Sequence, residues 1–402
     1  MPATIRSATE GDVDAIRAIH NQGVAGTDSG MLKTRVTPIR ILIVALLIHA
    51  VVFTISAVTS PEPAGDFDRY YEIGSTAGRP YVDYQVEHPI ATLLAFKSLA
   101  QLPHGRASFG LGVVLLDLLG DVIIIASLVW GWGVIAAAYF ALAVIPVLGL
   151  FFNRIDAWST AAAILAVVGW RRQQPVLLGM ALAAGGAFKL WPLVLTPLLV
   201  VPWRDRRSLV APAAFLAAAA ALAGAAVWIA GVNGVVQVLT FRGATGWQIE
   251  SLMGSIVHLA GSPTLRMESG SWRIGATSGP VSIAMFLAAA PICFWSSWRG
   301  ARLNRVGAGW LASVSALMLL SALLSAQFVI WLAPAGAIAW EEGDKRLALL
   351  TALSIVLTQA LWNSYGSVLS GELPALLIVV VRNLVLVALA SSAILRLSER
   401  PA

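Results

Sequence analysis

The sequence predicts an all-α polytopic membrane protein, and three observations carry that prediction. First, 58% of the 402 residues are hydrophobic and only 12% are charged, against about 25% charged in soluble domains; the mean hydropathy is +0.79. Second, the apolar residues gather into runs of about 20, the length that crosses a hydrocarbon core of ~30 Å. Third, the basic residues sit in short clusters between those runs, as loops on the cytoplasmic side do. The net charge of +6 therefore reads as membrane orientation, and nucleic acid is not expected as a partner. The single cysteine, Cys293, lies inside an apolar run, which excludes an intrachain disulfide and a cysteine metal centre.

Residues 1–37 form a polar extension without a signal-peptide pattern. Within it, IRSATEGDVDAIRAIHN (Ile5 to Asn21) gives residues 1–24 a resemblance to the opening strand and helix of GNAT acetyltransferases, which stops before any acetyl-CoA loop. The extension reads as a misplaced start or a fusion remnant. Deleting residues 1–30 is expected to leave activity intact.

The domain proper is expected over 38–397. Its first span, near 38–58, follows Lys33 and Arg35 and so starts on the cytoplasmic side. An acidic, aromatic outer loop, about 59–89, comes next, then a short interfacial helix over 90–103. Spans follow near 108–130, 133–152 and 156–170. The run 175–203 has basic residues at both ends and is too short for two full crossings, so a broken or re-entrant hairpin fits, with Gly185, Gly186 and Pro192 as break points and Lys189 near its turn. A span near 208–231 leads to a second outer loop, about 232–278, and five spans follow near 279–297, 306–324, 326–341, 346–363 and 374–395. The parity closes with both large loops outside and both termini cytoplasmic.

Carboxylates near a bilayer are expensive and usually have a function. Asp66 and Asp68 stand just beyond the first span, followed by Arg69, Tyr70 and Tyr71; either acid is a candidate general base for a hydroxyl, or a helix N-cap. In PYVDYQVEHP, Tyr81 and Tyr84 are candidates to stack on sugar rings, and Asp83 and Glu87 to bind hydroxyls; an interfacial aromatic belt is the plainer reading. Arg154 and Asp156 share a short outer turn, as a structural pair or with Arg154 facing a phosphate. Lys189 is an intramembrane cation whose candidate partners are a lipid phosphate or Asp117 and Asp121, which lie four apart on one helical face. Arg242, Gln248 and Glu250 occupy the second loop as candidates for phosphate and hydroxyl binding. The five histidines show no ligand spacing, and no P-loop, GxGxxG or GxSxG motif is present. No cofactor and no metal is expected.

The order of these blocks resembles glycosyltransferase family 87, the polyprenyl-phosphate-mannose-dependent α-mannosyltransferases of actinobacteria, which have the GT-C fold. The matching blocks are Asp66 to Tyr71; Gly78 to Asp83 with Glu87-His88-Pro89; Arg154-x-Asp156; Lys189 with Trp191-Pro192; Arg242-Gly243 through Gln248-Ile249-Glu250-Ser251; and Ser325-Ala326-Gln327 with Trp331 and Pro334. His88, Ile90 and Ala326 depart from the family pattern. The resemblance implies a GT-C-like bundle of about 10–12 transmembrane helices in the cell membrane. It implies inverting transfer of a sugar, mannose in the family, from a polyprenyl-phosphate donor to a glycolipid or glycan hydroxyl on the outer face. Carried over, Asp66 or Asp68 is the base. Arg154, Lys189 and Arg242 hold the donor phosphate. Tyr70, Tyr81, Asp83, Tyr84, Glu87, His88, Asp156, Gln248 and Glu250 line the sugar and acceptor. Two other classes fit the residues: a secondary transporter using Asp117, Asp121 and Lys189, and a non-catalytic membrane scaffold.

Overall fold

The computed structural model describes residues 38–59, 65–201, 209–240, 245–261, 264–268, 270–277 and 279–399. The N-terminal extension, with its acetyltransferase-like stretch, and Arg242 lie outside the described residues. Helices make up 78% of the structure. In chain order they are α1 (Pro38–Thr59), α2 (Gly65–Ser75), α3 (Ile90–Ala100), α4 (Arg106–Gly131), α5 (Val134–Ala143), α6 (Leu148–Phe152), α7 (Asp156–Arg171), α8 (Pro175–Phe188) and α9 (Val210–Thr240), then α10 (Leu252–Leu259), α11 (Gly279–Arg302), α12 (Val306–Leu319), α13 (Ala333–Glu341), α14 (Lys345–Asn363), α15 (Tyr365–Leu369) and α16 (Leu373–Ser398). Among the described residues, three 3-10 segments, Ile145–Val147, Trp191–Val200 and Ala326–Trp331, complete the bundle.

Among the described residues, four helices are long and apolar enough to cross a membrane: α4, α9, α14 and α16. A fifth crossing is available if the pair α5 and Ile145–Phe152, bent by 45°, counts as one broken span. The distribution of apolar surface agrees. On α4, Leu111, Leu115 and Leu119 recur every four residues and are more than half exposed, while Val113, Asp117, Asp121 and Ile124 are fully buried. A helix that turns leucines outward and acids inward is built for lipid, not water. Helix α9 is apolar and lies mostly outside the packed body.

Hydrophobic burial does not drive helices together in lipid; close approach of small residues does. Helix α7 buries Ala157, Ala161, Ala162, Ala163 and Ala166. At Gly179 of α8, a Cβ would come within 2.4 Å of the Ala211 carbonyl on α9, so that crossing requires glycine.

Two expectations from sequence need correction. The acidic stretch after the first span is not all loop: residues 65–75 fold as α2, with Asp66 and Asp68 in its first turn, where the helix dipole favours carboxylates. The second loop is shorter and more ordered than 232–278, because α9 runs on to Thr240 through a break at Gly231. Beyond it, β1 (Trp247–Gln248), β2 (Arg266–Glu268) and β3 (Ser271–Ile274) form an antiparallel sheet in the order β1-β3-β2. Pairs such as Trp247 opposite Ile274 set its register. Helical segments also occupy the other predicted spans, but several are shorter than expected: 306–324 holds the 14-residue α12, and 326–341 is divided between the 3-10 segment Ala326–Trp331 and α13. The run 175–203 is a hairpin: α8 climbs about 21 Å, turns at Lys189, and the 3-10 segment Trp191–Val200 returns.

The bundle has two chemically different ends. Helix α7 runs from Asp156 to Arg171, about 24 Å along its axis. At the Arg171 end, arginines cap helix C-termini: Arg171 Nε donates to Gly131 O at 2.7 Å, Arg299 Nε to Leu397 O at 3.0 Å and Arg305 Nη1 to Arg396 O at 2.6 Å. Cations at helix C-termini oppose the partial negative charge there. The Asp156 end carries the candidate site.

Candidate functional site

Four segments distant in sequence meet at the Asp156 end. Helix α2 brings Asp66, whose carboxylate pairs with the Arg154 guanidinium from the turn before α7. Two residues on, Asp156 opens α7 and is almost fully buried; its Oδ1 accepts from Lys189 Nζ at 2.6 Å and from Trp331 Nε1 at 2.6 Å. Arg154 and Asp156 are separated by at most about 7 Å of backbone, so the two ion pairs flank the same turn at the start of α7. Arg154 and Asp156 thus do not pair with each other, one of the readings left open by the sequence. Each instead binds a separate chain segment.

Aromatic rings wall this corner. Lys189 Nζ lies 5.2 Å from the centroid of Phe328 and 5.4 Å from that of Trp331, within cation–π range. Trp331 stacks between Phe328 at 4.0 Å and Trp191 at 5.1 Å. Trp191 Nε1 donates to Ser159 Oγ, one turn along α7 from Asp156. Arg154 sits over Trp362, 5.5 Å from its centroid. The Lys-x-Trp-Pro block and the Ser325–Trp331 block therefore touch through their tryptophans.

Lys189 is paired with Asp156 and not with Asp117 or Asp121. Asp117 faces the same cluster from α4, fully buried and in electrostatic contact with Asp156. Asp121 is turned to α1, where its Oδ2 lies 2.7 Å from His49 Nδ1. His49 Nε2 donates to the Ala141 carbonyl at 2.8 Å; since a carbonyl only accepts, that nitrogen carries a proton, and His49 and Asp121 share the other between them.

Asp68 lies apart from the corner. It pairs with Arg106 at 2.8 Å, both well exposed. The rest of the first block forms its own packed unit. Glu87 is buried against Arg69 and lies 3.3 Å from His88 Nε2. Tyr70 is buried and stacks on Phe96 at 4.7 Å. Tyr81, also buried, donates its hydroxyl to the His88 carbonyl at 2.5 Å. Tyr84 donates to the Ile73 carbonyl, and Asp83 accepts from the Arg79 amide in an exposed turn.

The second block closes over the site from another side. Gln248 Nε2 donates to Ser325 Oγ at 2.8 Å and lies 3.3 Å from Glu250 Oε2, so the Gln248–Ser251 and Ser325 blocks meet as well. Ser251 caps α10 by accepting from the Gly254 amide. A Cβ at Gly254 would come within 2.0 Å of the Gln248 carbonyl, which makes this turn a glycine position. Glu250 is buried; burial raises its carboxyl above the ordinary range, and Arg382, Tyr365 and Arg154 oppose that rise.

Arg382 was not singled out by the sequence reading. It is fully buried in α16, and its Nη2 donates to the Glu250 carbonyl at 2.6 Å, with Asn383 Nδ2 on the same oxygen at 3.3 Å. The signal was available: an Arg-Asn pair in the middle of the last apolar run. Among the described residues, no group of three or more His, Cys, Asp or Glu side chains has the geometry of a metal site. No family model matches the chain, and no curated protein matches it.

Proposed function

We propose that the chain is an inverting membrane glycosyltransferase that takes a sugar, mannose by the family resemblance, from a polyprenyl phosphate. The observation that carries this reading is the corner where Asp66 meets Arg154 beside Asp156 and Lys189. An acceptor hydroxyl attacks the anomeric carbon, Asp66 takes its proton, the bond to the phosphate oxygen breaks and the polyprenyl phosphate leaves. Arg154 and Lys189 stabilise the charge that grows on the departing phosphate. Both cations are held by carboxylates, so an incoming donor phosphate competes with Asp66 for Arg154. That exchange releases Asp66 to act as base when the donor is seated. Arg242 is a further phosphate ligand in this reading, and Gln248 and Glu250 bind hydroxyls.

The same reading takes the bundle as GT-C-like, with about 10–12 crossings in the cell membrane and both termini in the cytoplasm. Its arginine-capped end then lies inside and the Asp66 corner outside, as basic residues favour. The deciding experiment is transfer of radiolabelled sugar from a panel of polyprenyl-phosphate donors by membranes carrying the chain. Wild type should transfer and Asp66→Asn should not. Full turnover by that variant would remove Asp66 as the base.

The transporter reading draws on one observation, the buried acids Asp117 and Asp121 inside the bundle. Proteoliposomes that take up solute under a pH gradient would favour it. Asp121 Oδ2 is engaged by His49 and not by Lys189, which weakens a continuous path to Lys189.

A further inference from the structure

At the end of the bundle away from Asp66, a cleft of about 1180 Å³ opens between the ends of α4, α7 and α11. Arg171, Arg172 and Arg302 line it, and among its described lining residues there is no aspartate or glutamate. Three guanidinium groups around one cleft repel each other unless an anion lies between them. Two of them are held in place. Arg171 Nε is tied to the Gly131 carbonyl, and Arg172 Nε donates to the Trp130 carbonyl at 2.9 Å. Arg302 lies on the face of Trp298, 5.0 Å from its centroid. Fixing one edge of a guanidinium leaves its other N–H groups oriented and lowers the entropy lost on binding. One acid, Glu342, interacts with the Arg171 charge, but its oxygens accept from the Val306 and Gly307 amides.

The surroundings say what kind of anion fits. Phe294, Trp298 and Arg302 stand four apart on α11, one above another on a single face. Phe294 is about half exposed, Trp298 and Arg302 line the cleft, and Trp130 is exposed beside it. From mid-helix to helix end the face passes from apolar ring to indole to guanidinium. That order follows a phospholipid from acyl chain to glycerol to phosphate. We propose that this cleft binds the phosphate of an acidic phospholipid headgroup, with Arg171, Arg172 and Arg302 as its ligands and Phe294 and Trp130 along the acyl chains. The site is independent of the proposed transfer chemistry and lies at the opposite end of the molecule.

The test uses the purified full chain in a neutral detergent. Phosphatidylglycerol and phosphatidylcholine are added in turn, retained lipid is counted by native mass spectrometry, and the unfolding midpoint is read in parallel. Phosphatidylglycerol should be retained in preference to phosphatidylcholine and should raise the midpoint more. Removing one charge, as Arg302→Gln or Arg172→Gln, should weaken that retention about fivefold, while Arg302→Lys keeps most of it. Equal retention of the two lipids by wild type overturns the proposal without any variant. So does undiminished phosphatidylglycerol retention in both glutamine variants. If 10 mM inorganic phosphate, about the concentration of a weak soluble ligand, protects the chain as well as the lipid does, the site takes a soluble anion and the lipid assignment falls.

Discussion

Lys189 and Asp156 meet at 2.6 Å at the tip of one hairpin and the start of the neighbouring helix, 33 residues apart in sequence. Asp156 Oδ1 also accepts a hydrogen bond from Trp331 Nε1 at 2.6 Å, across 175 residues. One buried carboxylate thus joins α7, the hairpin and the segment before α13. Removing the cation alone leaves that charge with the indole as its remaining donor. Lys189→Met is expected to destabilise the chain by about 3 kcal/mol, and Asp156→Asn by a similar amount, because breaking one side of a buried pair is worse than removing both. The double variant Asp156→Asn/Lys189→Met should recover part of the loss. Thermal unfolding in detergent checks this; additive losses would mean the two residues are not coupled.

Asp66 and Asp68 occupy the same helical turn but different surroundings. Asp66 pairs with Arg154 inside the corner, and Asp68 pairs with Arg106 at an exposed edge. Asp66→Asn should lower sugar transfer by about 10²–10⁴-fold, the usual contribution of a general base, with the fold retained by circular dichroism. Asp68→Asn should stay close to wild type. The reverse ranking would assign the proton transfer to Asp68.

Much of this corner was legible in the sequence. Intramembrane charges are rare enough that Lys189 stands out, Asp156 stands out in a short turn between apolar runs, and the break points at Gly185, Gly186 and Pro192 announce the hairpin. Their pairing was not legible, because neighbouring residues in sequence invite each other as partners. Arg154 and Asp156 look like a local pair, yet the tight turn between α6 and α7 sends them to Asp66 and Lys189. The acids Asp117 and Asp121 share a helical face, yet a different neighbouring helix meets each one: α7 at Asp117 and α1 at Asp121. The strands at 247–274 escaped notice because they are two to four residues long, too short for alternation to rise above chance. Tyr81 is a candidate sugar platform by composition, and only the structure shows that its ring is buried with its hydroxyl on the His88 carbonyl.

Glu342 supplies a pH dependence at the opposite end. Burial pushes its carboxyl from 4.5 up to about 8, with the Gly307 amide pulling it down. A carboxyl raised on folding binds its proton more tightly in the folded state. Its stabilising effect is therefore full below about pH 4.5 and is lost as pH rises through 8. Between those limits the folded chain should lose at most about 1.4 kcal/mol per pH unit from this group. Glu342→Gln, which cannot ionise, should flatten the fall of unfolding midpoint between pH 5 and 8. A variant with the same slope as wild type would place the titration elsewhere.

Arg382 ties the segment around Glu250 to α16. Its Nη2 and Asn383 Nδ2 converge on the Glu250 carbonyl, and its charge faces the buried Glu250 carboxyl. Glu250 in turn accepts from Gln248, which holds Ser325. Arg382→Met leaves the buried Glu250 carboxyl without its facing charge and its carbonyl with only the Asn383 amide, at a cost of about 3–5 kcal/mol. Lysine keeps the charge but loses the guanidinium geometry that donates to the Glu250 carbonyl, so Arg382→Lys should fall between methionine and wild type. Adding Glu250→Gln to Arg382→Met should restore stability in part, because it removes the stranded charge. If Arg382 also positions Glu250 for substrate, Arg382→Lys should raise KM for the acceptor at a temperature where the variant is fully folded. A variant that loses midpoint alone, with KM unchanged, would confine Arg382 to holding the segment against α16.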